Sequence, residues 1–125
     1  MSNIQIVKDF IQAWNDRDLE GILNRFTEDA FYHNIPMDPM IGRDAIRAGL
    51  EAFVGMVEEV DWEILAIAED SSGRVLTERI DNFKNSKGTM SLPVMGTFEI
   101  ENGKIAKWRD YFDMGQFQTE MAKLQ

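Results

Sequence analysis

Asp110 stands in Ile105-Ala106-Lys107-Trp108-Arg109-Asp110-Tyr111-Phe112, a run whose alternation reads as a β-strand after the Glu101-Asn102-Gly103 turn. On a strand, Ala106, Trp108, Asp110 and Phe112 share one face, and Lys107, Arg109 and Tyr111 share the other. A carboxylate between a Trp and a Phe on a core-facing surface is costly unless it is paired or protonated. A buried acid of that kind is suited to general acid–base catalysis. The structural alternative is an acid near a strand end, bonded to a Trp indole or a backbone amide. Alternation alone leaves both open.

A second acid and an arginine occur in Glu78-Arg79-Ile80-Asp81. Arg79 and Asp81 share a strand face with Val75, Thr77 and Phe83, while Leu76, Glu78, Ile80 and Asn82 share the other. Both faces mix apolar and charged side chains. Arg79 and Asp81 either point inward or form surface ion pairs of little energetic value. In Tyr32-His33-Asn34, an extended chain puts Tyr32 and Asn34 on one face, where a hydroxyl and an amide can hold a water. His33 points away, and as the only histidine it offers no His-rich metal site. The acids have no metal-ligand spacing, and no cofactor is called for. The eight methionines read as core filler, with Met37, Met40 and Met95 as candidates for a flexible pocket wall. Gly42 is too isolated for a phosphate loop, and no Ser-His-Asp set occurs. Covalent attack by Asp81 or Asp110 stays chemically open.

Positioning these groups falls to a helix-then-strand order. Ser2 is a plausible N-cap for a helix from Asn3 to about Asn15, with Ile6, Val7, Phe10, Ile11 and Trp14 at helical spacing. Asp18 caps a short second helix through Leu19, Ile22, Leu23 and Phe26. Ala30 to Ile35 is extended, and Pro36 and Pro39 mark an irregular loop. A third helix opens at Gly42-Arg43-Asp44 and carries Ile46, Leu50, Phe53, Val54 and Val57. The period then changes to alternation, with strands over Val60–Ala68, Arg74–Phe83, Thr89–Ile100 and the run containing Asp110, and Gly115 precedes a terminal helix. Helices followed by an antiparallel meander predict an α+β domain whose curved sheet is wrapped by the early helices around a pocket.

The 125 residues suit one domain, 1–125, with one core. A hydrophobic fraction of 44% and a charged fraction of 28% indicate a globular chain. A net charge of −9 without a Lys/Arg cluster argues against nucleic acid and anionic membranes as partners. The absence of cysteine removes thiolate chemistry and fits a reducing compartment. No signal-peptide pattern or membrane-length apolar run occurs, so a cytoplasmic protein is expected.

Tyr32-x-Asn34 before a Pro-containing loop, Glu78-Arg79-x-Asp81, and Trp108-Arg109-Asp110-Tyr111-Phe112-Asp113 together resemble the limonene-1,2-epoxide hydrolases of the NTF2-like, SnoaL-like superfamily. The resemblance extends through nearly all elements, including Gly42-Arg43-Asp44-Ala45 at the third helix. It implies a cone-shaped NTF2-like fold and hydrolysis of a small lipophilic epoxide, such as a cyclic or terpenoid one, to a vicinal diol, with no cofactor and no covalent intermediate. It further implies Asp110 as general base, Tyr32 and Asn34 as holders of the attacking water, Asp81 as general acid, and Arg79 orienting both acids. Family members are commonly homodimers, and the face with Lys107, Arg109 and Tyr111 is a candidate interface. A SnoaL-like cyclase, a ketosteroid-isomerase-like enzyme and a non-catalytic binding domain are the alternatives on the same fold.

Overall fold

Helix α1 (Asn3–Asn15) follows from its N-cap and its apolar stripe. The Ser2 hydroxyl accepts from the Gln5 amide, and Ile6, Val7, Phe10, Ile11, Ala13 and Trp14 are buried. The computed structural model describes residues 1–125. Asp18 caps α2 (Leu19–Leu23) by accepting from the Gly21 amide. This helix ends before Phe26, and strand β1 covers Phe26–Asn34, four residues earlier than alternation indicates. A register shift between Phe26 and Phe31 is the reason. It lets Phe26, Ala30 and Tyr32 face inward while Glu28, at the same parity, stays exposed.

The segment read as an irregular loop contains a short strand, β2 (Met40–Ile41), paired antiparallel with β1. Helix α3 (Arg43–Met56) buries Ile46, Leu50 and Val54. Four long strands follow: β3 (Glu59–Glu69), β4 (Val75–Asn85), β5 (Gly88–Glu101) and β6 (Lys104–Tyr111). They form the antiparallel meander that the alternation predicts. At the β5–β6 turn, Asn102 and Gly103 both have positive φ, 51° and 76°, as an Asn-Gly hairpin requires. The sheet order is β2-β1-β6-β5-β4-β3. One ladder had no signal in the sequence: β1 runs parallel to β6, with Tyr32 beside Trp108 and Asn34 beside Asp110.

Helix α1 lies on the inner face of this curved sheet. Trp14 stacks on Trp62 at 4.5 Å, and Phe10 meets Phe26, Phe98 and Trp108 edge-on. Helix α3 adds Phe53 against Phe83 at 4.7 Å. Helix α4 (Met114–Met121) is capped by Asp113 and closes the remaining side, with Phe117 on Phe112. Its far end is tied down where Asn85 Nδ2 donates to the Leu124 carbonyl and the Ser91 amide donates to Glu120. No helix is long and apolar enough to cross a membrane.

The outer face of the sheet is less polar than a solvated surface needs to be. Leu76, Met95 and Tyr111 are 38%, 52% and 48% exposed there. Met95 is therefore not a pocket residue: on β5, Leu92 and Val94 face inward, and Met95, next after Val94, falls on the opposite face.

Candidate active site

Strand register puts the polar side chains in one row. Thr77 on β4 pairs with Gly96 on β5, Gly96 with Asp110 on β6, and Asp110 with Asn34 on β1. The adjoining row is Val75, Phe98, Trp108 and Tyr32. Arg79 and Asp81 follow Thr77 at two-residue steps on β4 and face inward with it. Arg79 must reach across β5 to meet Asp110, and Gly96 leaves the space. A β-carbon at that position would collide with Asp110 Oδ1 and Arg79 Nη1.

The guanidinium of Arg79 is 0% exposed and uses all of its donors. Nε and Nη2 donate to the two oxygens of Asp81, at 3.0 and 2.9 Å. Nη1 and Nη2 donate to the two oxygens of Asp110, at 3.2 and 2.8 Å. The remaining Nη1 proton goes to Thr77 Oγ1 at 3.1 Å, and that hydroxyl donates to the Gly96 carbonyl. An arginine has five N–H donors, and here two planar forks take four of them. The guanidinium carbon also lies 4.7 Å from the Trp62 ring centre.

Asp81 and Asp110 are 4% and 3% exposed. Asp110 Oδ1 receives a further bond from Trp108 Nε1 at 2.7 Å. The two sequence readings of Asp110 thus coexist in geometry: it is bonded to an indole, and it is part of an acid–arginine–acid cluster. Nearby, the Tyr32 hydroxyl donates to Asn34 Oδ1 at 3.2 Å, and the Tyr32 ring stacks on Trp108 at 4.0 Å.

Burial dominates the electrostatics of this cluster. It pushes the Asp81 carboxyl up to about 6, the Asp110 charge acting in the same direction, while the Arg79 charge and its hydrogen bonds pull the other way. Burial opposes the charge on Arg79, but the two aspartates and their hydrogen bonds together outweigh it and raise its affinity for the proton. Tyr32 is held well above its ordinary value, first by burial and then by the Asp110 charge. Tyr32 is a neutral hydroxyl at any working pH.

A cavity of about 300 Å³ opens onto these groups. Tyr32, Asn34, Asp81 and Asp110 form its polar part, and most of the remaining wall is apolar, including Met37, Met40, Phe53, Met90, Leu92 and Phe117. All five residues singled out from the sequence are brought together. The sequence does not mark Thr77, Gly96 or the closing residues from α3 and α4 as part of the site, because their roles depend on cross-strand register and helix docking. His33 lies away from the cavity, its ring bonded to the Met37 carbonyl. No group of three or more His, Cys, Asp or Glu side chains is arranged to hold a metal, and the cation already between the two acids disfavours another.

Residues 1–123 match the limonene-1,2-epoxide hydrolase catalytic domain. The chain belongs to that family. Epoxide hydrolase EphG of Mycobacterium tuberculosis is 30% identical over 108 residues, covering 86% of this chain and 71% of EphG. A solved limonene-epoxide-hydrolase-like epoxide hydrolase from M. tuberculosis superposes with a TM-score of 0.83 at 28% identity, covering 98% of this chain and 91% of that one. The epoxide hydrolase/cyclase-like enzyme SalBIII, described for pyran ring formation in salinomycin, has a TM-score of 0.82 at 22% identity, covering 91% and 92%; it supports the fold. The architecture is NTF2-like, and the limonene-epoxide-hydrolase family places the chain among hydrolases.

Gly96 tests how tightly the cluster is packed. Gly96→Ala is expected to lower stability by about 1–3 kcal/mol through overpacking, measured by denaturant unfolding. A variant as stable as the parent would show that Arg79 has room to move.

Proposed function

We propose that the chain adds water to a small, uncharged, lipophilic epoxide and releases a vicinal diol in one acid–base step without a covalent intermediate. The observation that carries this reading is the buried Arg79 joined to both Asp81 and Asp110, the two acids lining an apolar cavity. Epoxide opening needs a proton delivered to the departing oxygen and another removed from the attacking water. Two carboxylates that differ in protonation state meet that need. Asp110 takes the proton from a water that Tyr32 and Asn34 also hold. Asp81 protonates the epoxide oxygen. Arg79 keeps both carboxylates oriented, and with one proton on the pair the three groups sum to zero charge. Holding the water before reaction removes part of the entropy cost of attack.

The cavity walls offer burial rather than hydrogen bonds, so affinity comes from apolar area and regiochemistry from shape. At about 30 Å³ per liquid-packed water, the 300 Å³ cavity holds the non-hydrogen atoms of a terpenoid-sized epoxide. Attack from the side opposite the departing oxygen inverts the carbon and gives a trans diol from a cyclic epoxide.

Asp81→Asn and Asp110→Asn should each reduce diol formation by roughly 10²- to 10⁴-fold with the circular dichroism spectrum unchanged. Single turnover in H₂¹⁸O should place label in the first diol released. Unlabelled first product with label left in a carboxylate would replace this mechanism by a covalent one.

Because Asp81 acts in its protonated form, raising the pH removes the active species. The kcat/KM profile should therefore fall on the alkaline side of about 6. That limb belongs to the acid pair as a unit. A profile that rises through this range would make the fully ionised pair the active form and remove the acid role of Asp81.

The active form is a homodimer joined through the outer sheet face. Met95 and Tyr111 are neighbours in one cross-strand row, and their exposure with Leu76 gives an apolar patch of the kind that marks interfaces. Met95→Glu should shift the sedimentation coefficient from dimer to monomer. A parent protein that sediments as a monomer at micromolar concentration would remove this assembly.

A further inference from the structure

Arg79 treats its two acids alike: each accepts two of its N–H groups, across both carboxylate oxygens. Such symmetry does not say which acid carries the shared proton, yet an acid–base reaction needs a fixed direction. The asymmetry lies in the third donor. Asp110 accepts from Trp108 Nε1 at 2.7 Å, and Asp81 has only the two bonds from Arg79.

We propose that Trp108 is a positioning residue that gives the acid pair its direction. Its indole N–H donates to Asp110 and to neither oxygen of Asp81, which leaves the shared proton on Asp81. This deepens the hydrolase reading above and rests on it for the catalytic consequence.

The indole has no freedom to leave this bond. Trp108 is 0% exposed, stacked on Tyr32 at 4.0 Å with ring planes 4° apart, and fixed by Phe98 at 5.5 Å and Phe10 edge-on at 5.0 Å. Trp108 and Asp110 are two apart on β6, so the strand itself points both side chains to the same face. The bond is particular to this tryptophan: Trp14 and Trp62 also line the cavity, and neither gives its indole N–H to Asp81 or Asp110. An indole N–H only donates, and a bond to an ionised acceptor is the stronger kind. The charged and titratable groups facing Asp110 are Arg79 and Asp81 from β4 and Tyr32 from β1. Helices α1, α3 and α4 bring Trp14, Phe53 and Phe117 to the site, none of which titrates. Trp108 is therefore the one neutral donor that distinguishes the acids.

The test removes the donor and keeps the ring. Trp108→3-benzothienylalanine, introduced biosynthetically, puts sulfur in place of the N–H and preserves the stacked shape. Protein labelled with ¹³C at the aspartate carboxyl carbon reports which acid is protonated, with Asp81→Asn and Asp110→Asn supplying the assignments. In the parent, the protonated signal should belong to Asp81; in the variant it should divide between the two acids. With an epoxide that the parent turns over, kcat/KM on the acidic plateau should fall with the Asp81-protonated fraction, about twofold for an even division, and the alkaline limb should move to higher pH because the singly protonated pair gains a second arrangement of its proton. An unmoved carboxyl signal and an unmoved limb would overturn the role of Trp108, even if the rate fell through looser packing. If the parent opens no epoxide, the hydrolase reading fails separately, and the carboxyl signal alone decides what Trp108 does to the pair. Trp108→Phe provides the same comparison in ordinary expression, with the benzothienyl variant separating donor loss from volume loss.

Discussion

A guanidinium with no exposed surface and two carboxylates gripping it from either side is the constraint around which the inner face is arranged. Removing three charged groups from water is expensive, and their mutual attraction repays this only when every donor is matched. Arg79 meets that condition by using four N–H groups on Asp81 and Asp110 and the fifth on Thr77. Each neighbour has a role that this bonding dictates. Thr77 passes the bond on to the Gly96 carbonyl, Gly96 lacks the side chain that would block the crossing, and Trp62 lays its ring against the cation. Deleting any of these leaves a buried polar group short of a partner or of space.

Stability alone does not account for such a cluster. Well-packed apolar side chains in the same volume are often as stabilising as a buried ion pair, or more so. The surrounding core already supplies suitable partners: Phe98, Trp108 and Val94 lie in the adjoining positions and are buried. A carboxyl raised to about 6 by burial in this setting is a poor contributor to folding near neutral pH, where ionising it is unfavourable. What the arrangement provides is a pair of acids with one proton between them, beside a cavity large enough for an organic molecule.

Much of the architecture is legible in the sequence because periodicity reports burial directly. The change from helical spacing to alternation after Glu59, the Asn102-Gly103 hairpin and the caps at Ser2 and Asp18 all correspond to observed elements. The orientation of Arg79 and Asp81 is not legible in the same way. Leu76 and Ile80 occupy the outer face of β4, so neither face reads as purely apolar, and alternation loses its sign. Asp110 is easier, because Lys107 and Arg109 make its opposite face plainly polar. Met95 shows the converse error: an apolar residue suggests an interior, but strand parity places it outside. Gly96 carries no local signal at all, since its importance arises from an arginine seventeen residues earlier in the chain crossing its position.

The ladder hardest to foresee is also the one on which the polar row depends. Parallel pairing of β1 with β6 joins segments more than seventy residues apart, and no turn or repeat announces it. Without it, Asn34 would not lie beside Asp110, nor Tyr32 against Trp108. The register shift within β1 matters for the same reason. It absorbs the irregular spacing from Phe26 to Phe31, so that Phe26 seals the core against Phe10 while Tyr32 and Asn34 still arrive on the inner face. A strict two-residue alternation from Phe26 would also present Glu28 to that face. The bulge therefore reconciles two demands on one strand: an apolar beginning that closes the barrel-like interior, and a polar end that faces the acid pair.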